Sequence, residues 1–277
     1  MALRINTNVQ SLNAQRNLNK STNALNKSLE RLSSGLRINR AADDAAGLAI
    51  SETMKSDIRA LEQSGRNAAD GVSMVQLAEG ALDEVSGILI RMRELAQQSG
   101  NETMGASERT YINTEFSSLA AEITRISDAT EFNGINLLNN SETTNDILVG
   151  TNVSDIIQIN LGNDTDAAAL GVDQASVTVD GTDNANALLA VVAVDAAVDQ
   201  LNGWRADFGV TQNRLESAMR TIENTKENIS AANSRIRDVD IAAETSRMTS
   251  SQILQQAGVS VLSQANMSPQ MALSLLQ

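Results

Sequence analysis

The chain has 277 residues, enough for one or two domains with a sizeable core, but its aromatic content is only 2%, with one Trp, one Tyr and three Phe, so aliphatic residues and Ala must supply the packing. It contains no Cys and no His, which removes disulfides, thiolate nucleophiles, zinc hydrolase motifs and every Ser-His or Cys-His catalytic arrangement. A net charge of -13 and a pI near 4.5 argue against binding to a phosphate backbone as the main task.

The opening stretch, MALRINTNVQSLNAQRN, has no apolar run of signal-peptide length, and no window of the chain is expected to span a membrane. Leu18, Leu25, Leu29, Leu32 and Leu36 are spaced by seven, four, three and four, which predicts a helix whose seam faces a second helix. Up to Leu29 this segment has bases (Arg4, Arg16, Lys20 and Lys27) and no acid.

A second seam steps through Ile58, Leu61, Gly65, Ala68, Val72, Val75, Glu79 and Leu82. It continues in adjusted register through Val85, Leu89, Met92 and Ala96. With Asp43 as its cap and Gly100 as its stop, this helix would cover 44–99 and measure on the order of 80 Å. Within it, Arg91 and Leu95 lie four apart on one face, and Arg91 is within reach of Glu94 or Glu84. Ile112, Phe116, Leu119, Ile123 and Ile126 predict a shorter helix, ended before the turn signal Asn133-Gly134.

The middle is different. From 126 to 204 there are twelve acids, Asp128 to Asp199, and no Lys or Arg, so this interval carries -12 of the net -13 and reads as a solvated outer surface. Short β-prone runs at 147–149, 156–161 and 177–179 suffice for a hairpin and loops. Asn163-Asp164-Thr165-Asp166 has calcium-like ligand types but lacks the glycine and distal Glu of a helix-loop-helix site, and reads better as a surface loop.

Helical periodicity returns with eleven positions in one register from Leu201 to Ile236, Trp204 and Phe208 among them. A last apolar segment includes Ile253, Leu254, Ala257, Val261 and Leu262 and precedes the single proline, Pro269. No charged side chain follows Arg247, yet Met271, Leu273, Leu275 and Leu276 would give the tail an apolar face. Neutral polar residues suit a place where identical copies crowd, because repeated like charges there would repel in every subunit.

These patterns predict a mainly α fold: a long antiparallel helical bundle or coiled-coil rod, chain ends together, with a small β-hairpin region in the middle. Such a rod has more lateral apolar surface than its own halves cover, so self-association is expected. Enzyme chemistry has no nucleophile-base pair, phosphate loop or metal cluster to support it, and neither cofactor nor metal is expected. A cytoplasmic helical scaffold would account for the heptads but not for a charge-free end facing a basic-only one.

Five blocks carry a family resemblance: MALRINTNVQSLNAQRNLNKS, SLERLSSGLRINRAADDAAGLAISETM, RELAQQSGN, TEFNGINLL, and the ending SRIRDVDIAAETSRMTSSQILQQAGVSVLSQANMSPQMALSLLQ. In order and spacing they resemble bacterial flagellin across essentially the whole chain, in a minimal form without large outer domains. The resemblance implies an inner coiled-coil domain from 1–42 and 237–277, a helical rod domain from 43–138 and 185–236, and a hairpin and acidic loop region at 139–184. It implies a homopolymeric extracellular filament for swimming, exported without a cleaved signal peptide, with an export chaperone and the filament cap and hook-associated proteins as partners, and with no nucleic acid or membrane. The polymer interface is expected at Leu18, Leu25, Leu29, Leu32, Ile253, Leu254, Val261, Leu262, Leu273 and Leu276. Arg91, Leu95 and Glu115 match the positions read by the Toll-like innate receptor for flagellin. The alternative is the related hook-filament junction protein, against which the intact RINRAADDAAGLAI block and the C-terminal match weigh.

Overall fold

The computed structural model describes residues 8–139, 144–161 and 164–274, of which 268–274 by backbone alone. The fold is mainly α, with five helices and two small hairpins: α1 Val9–Ser34, α2 Ala45–Ser99, α3 Ala106–Ala129, β1 Glu131–Phe132, β2 Ile135–Asn136, β3 Thr144–Leu148, β4 Ile156–Asn160, α4 Ala185–Arg237 and α5 Ile241–Ser274. It divides into two compact units, 1–56 with 228–277, and 57–227, and the division falls inside α2 and α4. The acidic middle, expected as a region of its own, belongs to the second unit.

In the first unit α1 pairs with α5. Asn8 caps α1 by accepting the Ser11 N–H at 3.1 Å, and Gly35 ends it in the left-handed region (φ 73°) that glycine enters without a Cβ penalty. Leu36 therefore lies beyond the helix it was expected to extend, and forms a bridge with Asp238. Asp43 does not cap α2. Its carboxylate pairs with Lys27 at 2.7 Å and accepts the N–H groups of Asn39 and Arg40, while Asp44 accepts the Gly47 N–H at 2.9 Å. Asp240 caps α5 through the N–H groups of Ala242 and Ala243.

The second unit has a dense apolar core. Along α2 the buried row is Leu61, Ala68, Val75, Ala78, Leu82, Val85, Leu89, Met92 and Ala96. Ala78 takes the place that the seam gave to Glu79, since a carboxylate there would be desolvated without a partner. Ile112, Phe116, Ala120 and Ile123 of α3 and Ala190, Val194, Leu201, Phe208 and Leu215 of α4 complete it. α4 holds an 18-residue window apolar enough to cross a membrane by length and composition (mean hydropathy 1.2), contrary to expectation; Ala187, Ala190 and Ala197 of this helix are buried.

Asn133 (φ 53°) and Gly134 (φ 78°) make the tight turn of β1–β2, as two successive left-handed residues should. β3 and β4 pair from Thr144↔Asn160 to Leu148↔Ile156, burying Ile157 and Ile159. Their loop is fastened to α2, where Ser64 Oγ donates to the Gly150 carbonyl at 2.9 Å and Asn67 Nδ2 to that of Leu148 at 3.2 Å. The run 177–179 is not a strand. Val179 is buried, and side chains replace a ladder: Asn113 Oδ1 accepts its N–H at 3.1 Å and Ser99 Oγ donates to its carbonyl. Finally, α5 runs on through Pro269 to Ser274.

Candidate assembly and recognition surfaces

The α1–α5 pair covers only part of its own apolar surface. Leu18, Leu25, Leu32 and Leu262 are half-buried, and Leu18 lies so close to Gly258 that a Cβ added there would stand 3.3 Å from Leu18 Cδ1. Leu29, Ile253, Leu254 and Val261 instead face outward, the last three each more than half exposed. Val9, Leu12, Val259 and Met267 are equally exposed and were not singled out from the sequence. The Leu273 side chain and Leu276 lie outside the described residues.

Polar groups hold the pair where apolar contact is thin. Glu244, in the first turn of α5 and only 4% exposed, accepts Ser28 Oγ at 2.6 Å and faces Arg31 at 3.6 Å and Arg247 at 3.4 Å. A carboxylate at that depth needs such partners, and the positive end of the helix dipole adds to them. Arg37 donates twice to the Ile236 carbonyl at the end of α4, and Ser51 Oγ donates to Asn233 Oδ1 at 2.7 Å. Periodicity is blind to these polar links; the one available signal is that Glu244 is the last acid before a charge-free stretch.

In the second unit Arg91 bridges two carboxylates. Its guanidinium meets Glu115 Oε1 through Nη2 at 2.8 Å and Nε at 3.1 Å, and Glu94 Oε2 through Nη1 at 3.0 Å. All three side chains are about half exposed. Hydrogen bonding to Glu115, and next to Glu94, pushes the Arg91 pKa up, so the cation is fixed at any working pH. Leu95 does not join them at the surface. At 1% exposed it belongs to the core, in the same buried cluster as Phe116 of α3 and Val194 of α4. Of the three positions, the structure brings Arg91 and Glu115 into contact and buries the third.

Two open clefts, of about 540 Å³ beside the β3–β4 loop and about 400 Å³ beside Glu244, are lined chiefly by aliphatic, hydroxyl and ion-paired side chains. Among the described residues no group of acids is placed to hold a metal ion.

Residues 5–143 match the family model for the bacterial flagellin N-terminal helical region, and residues 191–276 that for the bacterial flagellin C-terminal helical region. The chain belongs to the bacterial flagellin family. It is 46% identical over 273 residues to a flagellin of Halalkalibacterium halodurans, covering 99% of both chains. It is 43% identical over 287 residues to the flagellar filament 33 kDa core protein of Treponema phagedenis, again covering 99% of each. Among solved structures, Bacillus cereus flagellin superposes with a TM-score of 0.50 at 28% identity, covering 61% of this chain and 94% of that one. Flagellins are structural proteins of the extracellular flagellar filament, not enzymes, and the small size of this one suits a minimal filament subunit.

Proposed function

We propose that this flagellin polymerises through the α1–α5 pair into a filament that turns for swimming, and that the expected interface leucines act there together with Ile253, Leu254 and Val261. The observation that carries the reading is the outward row of apolar residues on a helix without charge after Arg247, a surface that is stable in water only when neighbours cover it. Export without a cleaved signal peptide, a carrier chaperone, and contact with cap and hook-associated proteins belong to the same reading. A chain lacking residues 248–277 should stay monomeric when added to filament seeds; normal elongation by it would end the proposal. A sharper version replaces Ile253 and Leu254 by Asn, which should leave each unit folded and still block elongation.

A second reading concerns the Arg91–Glu115 bridge, which presents a rigid charged pair on the second unit. We infer that it contributes to recognition by the Toll-like flagellin receptor, with Leu95 supporting the helix beneath it. Titration of the monomer with the receptor ectodomain should show weaker binding for Arg91→Ala; unchanged binding would remove the assignment.

A further inference from the structure

The far ends of α1 and α5 meet at a joint that the periodicity of neither helix explains. α5 is helical from Ile241 to Ser274, yet residue 269 is proline, which has no backbone N–H. The carbonyl four residues earlier, that of Ala265, therefore loses its normal donor. Ala265 is only 8% exposed, and a buried carbonyl left without a partner is costly. The donor comes from the other end of the chain: Asn8 Nδ2 donates to the Ala265 carbonyl at 2.7 Å.

The same amide has a second partner. Asn8 Oδ1 accepts the Ser11 N–H at 3.1 Å as the cap of α1, and Ser11 Oγ in turn donates to Asn266 Oδ1 at 2.9 Å. The orientation of the amide is fixed chemically, since a backbone N–H can only donate and a carbonyl can only accept.

We propose that Asn8 is a positioning residue for the terminal helix pair, capping α1 with its oxygen and replacing with its nitrogen the donor that Pro269 lacks. Together they select one register of α1 against α5. Sliding α1 by one turn, about 5.4 Å, would aim Asn8 at a carbonyl that already has its own helical donor, and would strand that of Ala265. A heptad seam tolerates such slips, whereas a single unfilled carbonyl does not. The joint lies within one chain and stands whether or not the polymerisation interface is the one proposed above.

The test separates the two halves of the amide. Asn8→Asp keeps the capping oxygen, which is favourable at a helix N-terminus, and loses only the donor. Pro269→Ala restores the N–H that Asn8 replaces. Amide hydrogen exchange is measured on the full-length chain, Asn8→Asp, Pro269→Ala and the double variant, all in one buffer and one assembly state. In the parent background Asn8→Asp should accelerate exchange at the start of α1 and in the last turns of α5 about tenfold, as expected for a stranded buried acceptor. With Ala at 269 the same substitution should change exchange by less than about twofold. Equal acceleration in both backgrounds, no acceleration in the parent, or free-chain exchange of these amides in the parent would each overturn the proposal.

Discussion

The two units are built from the same kind of helix and held by different forces. In the second, Leu82, Leu89, Met92, Phe116, Ile123 and Phe208 are almost wholly enclosed, so the unit finds within itself the apolar contacts that a fold needs. In the first, the buried apolar residues among those described are Ala14, Ile38 and Ala265, and Ser28, Ser51 and Glu244 are buried beside them. Order there depends on caps, hydrogen bonds and one enclosed carboxylate. Helical sequence alone thus does not make a self-sufficient unit; the area each helix can cover decides it.

The contrast breaks most visibly by removing core volume. Phe116→Ala should destabilise the second unit by about 3–5 kcal/mol, a fall of roughly 10 °C in its calorimetric midpoint, with exchange in α1 and α5 unchanged. A similar loss in both units would mean that they are not distinct. Next comes Glu244→Gln, which keeps an acceptor for Ser28 and leaves Arg31 facing a neutral group. It should cost about 1–3 kcal/mol in the first unit alone, read as faster exchange in α5, and an unchanged rate would show that apolar contact suffices.

Arg109 sharpens the comparison from the other side. It is enclosed in the second unit, with Nη2 donating to the Asn101 carbonyl at 3.3 Å and with Nε and Nη1 unpartnered. Arg109→Met should therefore be neutral or stabilising by about 1 kcal/mol, and a strongly lowered midpoint would give that guanidinium a structural role.

Acid should affect both units alike. Lys27 holds the Asp43 carboxyl below its ordinary 3.8, and Lys226 holds Glu62 below 4.5. Both contributions are whole above about pH 5 and are lost as pH falls through the depressed values. Replacing either lysine by Met should flatten the acid limb of the helix-content curve, modestly, because both lysines are about half exposed and screened by water. The smallest effect belongs to Arg91→Ala, an exposed bridge whose loss should leave the midpoint within its experimental scatter.

The helices were legible because a 3.6-residue period is local: 44–99 falls one residue from α2, and Asn133-Gly134 announces its turn. What escaped was settled across space. Asp44, one residue from the expected Asp43, caps α2 because Asp43 is engaged by Lys27. Val179 has β propensity, but Asn113 and Ser99 reach its backbone before any strand can. Arg91 finds Glu115, twenty-four positions away on α3, as well as Glu94, and no spacing rule within one helix names that pair. Leu95 shares a nominal face with Arg91, yet it is buried in the core while Arg91 stays half exposed. Residues that face outward on α5 were recognisable as apolar, but which of them the partner helix leaves uncovered depends on how the two pack.

The absence of charge after Arg247 has a consequence for solution behaviour. Contacts made along that stretch contain no ion pairs for dissolved salt to screen, so raising the ionic strength should not loosen them. Sulfate should tighten them by making apolar surface less soluble, and cooling should weaken them as the hydrophobic driving force declines. Under the assembly proposed above, a filament joined by such contacts should keep its cohesion from dilute to saline water and give it up more readily in the cold.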